Sequence, residues 1–229
     1  MDSQETLGSI IIHDITQRGR GRGAAILFPM IVDPCSNPPL AVYKLLIGSV
    51  VPRPIAFVST VSPEGVYNLA PFSFFNAVCA DPPTVLFCPN NRSPIKDTLS
   101  NVRATGEFVV NIVSEDIAEK MNICSGDYPP EVDEFQVSGL TAGPSDLIKP
   151  PRVLEAHVNM ECKVMQIIQI SDRPWGGNVV LGEVVRFHVD DAIVEDFRIN
   201  PDKLLAVGRM GGNEYTRVRD RFELIRPVV

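Results

Sequence analysis

Histidine and tryptophan are nearly absent from this chain of 229 residues, which holds three histidines (His13, His157, His188) and one tryptophan. No histidine stands at a metal-centre spacing from cysteine or carboxylate. No serine lies in a Gly-x-Ser-x-Gly elbow, so no Ser/His/Asp set for acyl transfer is visible. The five cysteines, Cys35, Cys79, Cys88, Cys124 and Cys162, are unevenly spaced and include no CxxC pair. An odd count of this kind reads as reduced, mostly buried thiols in the cytoplasm and not as a disulfide framework. No apolar run approaches the roughly 20 residues of a membrane helix. Ala24–Val32 follows Arg18, Arg20 and Arg22 and imitates a secretion signal, but Pro29 interrupts it and Asp33 ends it. Positive charge is also short: 21 Lys+Arg face 28 Asp+Glu, a net charge of -7. That balance argues against nucleic acid as the main partner, although a single phosphate needs only a few donors.

What the chain does have is proline, 20 residues against 16 glycines. Proline breaks helix interiors and withholds a ladder donor, so few long helices and many turns are expected. Residues 1–36 differ from the rest, with the tract Arg18–Gly23 between two apolar clusters. The sequence predicts a flexible N-terminal extension over 1–36 and one folded domain over 37–229. Gly19-x-Gly21-x-x-Ala24 formally matches a dinucleotide fingerprint, but Pro29 blocks the helix that should follow.

Past residue 40, β-formers dominate. Strands are predicted over Arg53–Val61, over Val66–Val78 with a break at Pro71, and over Thr84–Cys88. Further strands are predicted over Glu107–Val113, His157–Ile170 and Asn178–Val189. Ser62-Pro63-Glu64-Gly65 joins the first two through a turn in which Pro presets φ and Gly supplies positive φ. Three short helices are expected: Thr98–Ala104 capped by Ser93 or Asp97, one from Ser114 to Ile123, and one after Pro201. The pattern does not alternate strand and helix, so a doubly wound fold is not expected. A mainly β, antiparallel barrel with short helices is.

The segments GSVVPRPIAFVST from Gly48, NLAPFSFFNAV from Asn68, DPPTVLF from Asp81, KDTLSNV from Lys96 and EFVVNIV from Glu107 follow one another in order. In that order and spacing the chain resembles the flavin-reductase-like family, the FMN-binding split barrels that include flavoredoxin-type proteins. The likeness is dense over Tyr43–Asn111 and looser through HVNMECKV, LGEVVRFHV and Gly208–Tyr215.

The resemblance implies bound FMN, with NAD(P)H as reductant. For the phosphate it points to Arg92, Ser93, Lys96, Asp97 and Thr98 near a helix start, where amides and cations attract anions. Lys96 is the expected charge partner and Asp97 a cap or positioning group. For the ring it points to Val51, Pro52 and Arg53 on one wall. Asn68, Ala70, Pro71, Ser73 and Asn76 form the other. Alternation would set Phe72 and Phe74 on one face, Ser73 and Phe75 on the other. Arg53 has three readings: the phosphate, a flavin carbonyl, or a salt bridge. His157 and His188 are read as satisfied strand histidines. No catalytic side chain is required, because the flavin carries the chemistry. A homodimer is also implied, with Trp175–Asn178 or Gly208–Tyr215 completing the partner's site. The expected activity is hydride transfer from nicotinamide to FMN and on to a small-molecule acceptor or a partner monooxygenase. The alternatives are an FMN electron carrier without NAD(P)H turnover and a non-catalytic split-barrel interaction protein.

Overall fold

A computed structural model describes residues 30–228. The proposed flexible extension lies largely outside the described residues. Its last part, Pro34–Ser36, is a single 3-10 turn whose N-cap Asp33 accepts from the Cys35 amide. Helix α1 (Pro39–Ser49) follows. Strands β1 (Ala56–Val61), β2 (Tyr67–Phe72), β3 (Phe75–Ala80) and β4 (Pro83–Phe87) lead to α2 (Asp97–Thr105) and β5 (Glu107–Ile112). Helices α3 (Ala118–Ile123) and α4 (Glu134–Ser138) and the small pair β6 (Ala142–Gly143) and β7 (Arg152–Val153) make up a long excursion. It returns in the two longest strands, β8 (Val158–Gln169) and β9 (Asn178–Val189). The pair β10 (Val194–Glu195) and β11 (Arg198–Ile199), helix α5 (Pro201–Leu204) and the pair β12 (Val207–Arg209) and β13 (Tyr215–Arg217) complete the fold.

Seven strands form one antiparallel sheet in the order β2-β1-β5-β8-β9-β4-β3. Its two edges, β2 and β3, are consecutive stretches of one chain run, separated only by the bend at Ser73–Phe74. That bend carries the chain from one end of the sheet to the other and closes the barrel. The expected break at Pro71 falls two residues later. Pro71 itself sits within edge strand β2, where a missing N–H is tolerated.

Strand β1 is buried at every position, because it packs on both faces. Ala56 and Val58 point into the barrel with Phe72, Phe87, Phe108 and Val110. Ile55 and Phe57 point outward, onto Ile117, Met121 and Phe135 of the excursion. Inside the barrel the Phe72 and Phe87 rings lie 5.0 Å apart, and Phe87 and Phe108 lie 5.1 Å apart edge to face. The excursion is anchored by Glu161, fully buried, which accepts from the Asp146 and Leu147 amides and pairs with His188 at 2.6 Å. Burial opposes its charge. The two amides and the imidazole outweigh burial and hold the carboxyl below its ordinary range.

The structure corrects several expectations. Helix α1 has no counterpart among the predicted elements: its sequence PLAVYKLLIGS is apolar almost throughout and shows no polar stripe that would announce a helix face, and its start signal is Pro39 in the first turn. Neither Ser93 nor Asp97 caps α2; Lys96 stands at the N-cap without a side-chain bond, and Asp97 is the first helical residue. Helix α3 begins at Ala118, later than Ser114, whose hydroxyl bonds Asp116 instead. The bend breaks the phenylalanine alternation: Phe72 and Phe75 both pack on the barrel core. Of the thiols, Cys124 and Cys162 are buried, whereas Cys35 and Cys79 are exposed and Cys88 is intermediate.

Gly182 of β9 shows how tightly the barrel is filled. A Cβ there would lie 2.3 Å from the Phe108 ring, so the ring occupies the space a side chain would need. Gly182→Ala is expected to cost about 1–3 kcal/mol, read as a lowered midpoint in urea unfolding.

Candidate functional site

The Ser73–Phe74 bend opens onto a cleft made of two adjoining cavities. The smaller, about 140 Å³, is walled by Phe72, Phe74, Cys88, Asn90 and Lys96. The larger, about 590 Å³, reaches from α1 to α3 and to the segment from Arg209 to Tyr215. Tyr43, Pro71 and Ser73 border both. Tyr43 comes from α1 and is backed by Trp175, ring centroids 5.7 Å apart.

Lys96 marks the narrow end. Burial, and then the neighbouring Arg92, push its ammonium below the ordinary lysine range. Its Nζ sits 5.7 Å from the Phe72 ring centroid. Arg92 pairs with the exposed Asp127 through Nη1, while its buried Nε has no hydrogen-bond partner among the described residues. Two cations close together, one with a buried donor that has no partner among the described residues, stand beside the uncapped start of the nine-residue α2, where amides and cations attract anions. The loop carrying them is fixed by Asn91, which donates to the Ser171 carbonyl at 2.5 Å and accepts from Asn178.

Of its three sequence readings, Arg53 forms no salt bridge among the described residues; it lines the larger cavity and gives its donors to the chain's own groups. It is buried, and Nη1 donates to the Ile47 and Val50 carbonyls at 2.7 and 2.6 Å, Nη2 to the Met210 carbonyl at 2.8 Å and Nε to Ser73 Oγ at 3.4 Å. It thereby holds the end of α1, the bend and the last wall of the cleft together. Asn68 and Thr98 meet each other, not the cleft: Asn68 Nδ2 donates to Thr98 Oγ1 at 2.9 Å and to Thr60 Oγ1 at 3.0 Å, with Asn101 donating to the same Thr60. All four are buried, and the cluster ties α2 to β1 and β2.

Of the remaining sequence-predicted residues, Pro71, Ser73 and Lys96 line the cleft. Ala70 packs against the barrel core. Asn76 is exposed on β3 and accepts from its neighbour's amide, Ser93 is exposed, and Asp97 opens α2. Val51 is half-buried and Pro52 exposed in the connection between α1 and β1, and Pro52 approaches Gly208.

The residues that the sequence reading missed come chiefly from α1 and α3: Tyr43, Ile47, Met121 and Asn122. Proline in the first turn was the one signal for α1. Of the two segments expected to complete a partner's site, Trp175–Asn178 reaches this chain's own cleft only through the Trp175 ring behind Tyr43, while Arg209, Gly212, Asn213 and Tyr215 of Gly208–Tyr215 line its larger cavity. The two histidines among the described residues are satisfied: His157 Nδ1 is 3.2 Å from Asp190, and His188 meets Glu161. Asp146, Glu161 and His188 cluster closely, but Glu161 is occupied by two amides and Asp146 by Arg186. Among the described residues no helix is long and apolar enough to cross a membrane.

The sequence profile of the flavin reductase like domain matches residues 47–205. A protein of Aquifex aeolicus is 45% identical over 178 residues, covering 76% of this chain and 89% of its own. Among solved structures, nitrilotriacetate monooxygenase component B from Bacillus cereus superposes with a TM-score of 0.83 at 36% identity, covering 86% of this chain and 99% of that one. The 2-nitrobenzoate 2-nitroreductase NbaA of Pseudomonas fluorescens gives 0.79 at 34% identity, covering 86% and 96%.

The Asn68 cluster yields a test of structural against ligand-binding roles. Asn68→Ala strands the Thr98 hydroxyl and leaves Thr60 with Asn101 alone, and is expected to cost about 1–3 kcal/mol. Thermal unfolding should show a midpoint several degrees lower.

Proposed function

The chain belongs to the flavin reductase like domain family, and from that premise we propose that it is an FMN-binding oxidoreductase. It would take a hydride from NAD(P)H and pass the electrons to a second acceptor. The orphaned Arg92 Nε beside the depressed Lys96 carries this reading, because an anion entering there would satisfy both. Lys96 and Arg92 would hold the FMN phosphate, with the first amides of α2 adding their dipoles. Pro71, Ser73 and Phe74 would wall the ring, and the larger cavity would admit the nicotinamide. When bound, the flavin supplies the capacity to accept a hydride and release electrons. The chain's own part is to position it, with Tyr43 and Trp175 covering the entrance.

In the same reading the folded domain begins near residue 37 and the protein works in the cytoplasm as a homodimer. Leu40, Leu45 and Leu46 of α1, each nearly half exposed, leave apolar surface on that helix for a second copy. A partner monooxygenase receiving reduced flavin fits the likeness to a monooxygenase component.

Purified protein should be yellow and release FMN on denaturation, and stopped-flow mixing with NADH or NADPH should bleach it. A colourless chain that ignores added FMN overturns the reading, and a yellow chain that neither nucleotide bleaches is an electron carrier instead.

Lys96→Ala should weaken FMN by about 1.5–3 kcal/mol, roughly 10- to 100-fold in Kd. Wild-type affinity should fall at alkaline pH as Lys96 loses its proton. It should also fall below about pH 6, where the phosphate loses its second charge. Fluorescence titration of FMN across pH reads both limbs.

A further inference from the structure

In a chain of net charge -7, the larger cavity is walled by two arginines and no carboxylate. Arg53 and Arg209 are clamped together by reciprocal backbone hydrogen bonds of 2.9 and 2.8 Å. Neither enters an ion pair among the described residues, and no carboxylate lines the cavity beside them. Burial lowers the Arg53 pKa and Arg209 lowers it further. Carbonyl oxygens meet the Arg53 charge, but the half-buried Arg209 beside it has no counter-charge in the cavity, so an anion there is favoured.

The two differ in what they have left to give. Arg53 spends its donors on three carbonyls and a hydroxyl. Arg209 uses only Nη2, on the Gly212 carbonyl, and its guanidinium lies 4.5 Å over the Tyr215 ring. Tyr215 is itself held by its hydroxyl to Asn122 across the cavity at 3.1 Å. Arg209 is therefore an oriented planar fork with free N–H groups, the shape that matches a carboxylate. Ile47, Ile55 and Met121 supply an apolar wall, and about 590 Å³ suits a small molecule. The phosphate position at Lys96 belongs to the other cavity.

We propose that the Arg209 end of the larger cavity binds the carboxylate of a small organic acid, the second substrate of the cleft, whose apolar body lies along Ile47, Ile55 and Met121. This rests on the flavin reading for the word substrate, but the carboxylate subsite itself does not need flavin.

Benzoate and its neutral isostere benzamide are the probes. Each is titrated calorimetrically into the chain, with and without FMN. The expected result is saturable benzoate binding, benzamide at least tenfold weaker, a loss of at least tenfold for benzoate in Arg209→Gln, and a smaller loss in Arg209→Lys. Thermal midpoint and FMN affinity should stay at wild-type values in both variants. Absence of benzoate binding, equal binding of benzamide, or an unchanged Arg209→Gln overturns the proposal. So does a variant that keeps benzoate but loses NADH, since the arginine would then serve the dinucleotide. If the chain fails to bind FMN, the flavin reading falls while the flavin-free titration still decides the carboxylate subsite.

Discussion

The guanidinium of Arg53 joins segments that are far apart in sequence and adjacent around the cleft. Through it the end of α1, the bend at Ser73 and the carbonyl of Met210 share one buried side chain. Carbonyls near a helix C-terminus carry partial negative charge, and a cation there is favourable. Without that contact, α1 would have only Ile47 buried against the rest of the fold. Tyr43, which borders both cavities, depends on the same helix. One residue thus gives the cleft two of its walls, and its burial is offset by carbonyl oxygens, not by an acid.

Closure of the sheet sets the position of the cleft. A chain run that leaves one sheet edge and joins the other must turn sharply, and at the turn the ladder has a gap. Ser73 and Phe74 stand at that gap and face the cavities. The barrel interior beneath is filled by Phe72, Phe87 and Phe108, so a ligand stays at the rim. Helix α2, pinned by Asn68, Thr60, Thr98 and Asn101, then brings Lys96 to the narrow end.

The strands were legible because β-formers ran in uninterrupted blocks between turn residues, as in Asn178–Val189, which matches its predicted limits. The doubly buried β1 was legible for the same reason. Helix α1 was not, since an apolar segment without a polar stripe has no helical period to detect. At the site, residue type was readable but direction was not. Asn68 and Thr98 have the chemistry of ligand contacts, yet their partners are each other, and only the packing of α2 on β2 decides that. Arg53 could have reached acid, anion or carbonyl, and the choice lay with a helix end and with Met210, 157 positions away. Arg209 and Tyr215 were singled out only through the resemblance of Gly208–Tyr215, because their place in this chain's cleft comes from the β12–β13 return across Arg53.

Pro71 stands in edge strand β2 while also bordering both cavities. A strand arriving from outside needs a continuous row of N–H and C=O groups to pair with, and proline leaves that row broken. At the opposite edge, β3 is irregular between Ala77 and Cys79, which interrupts the row a second time. The residue that shapes the cleft's entrance therefore also makes that sheet edge a poor template for an added strand.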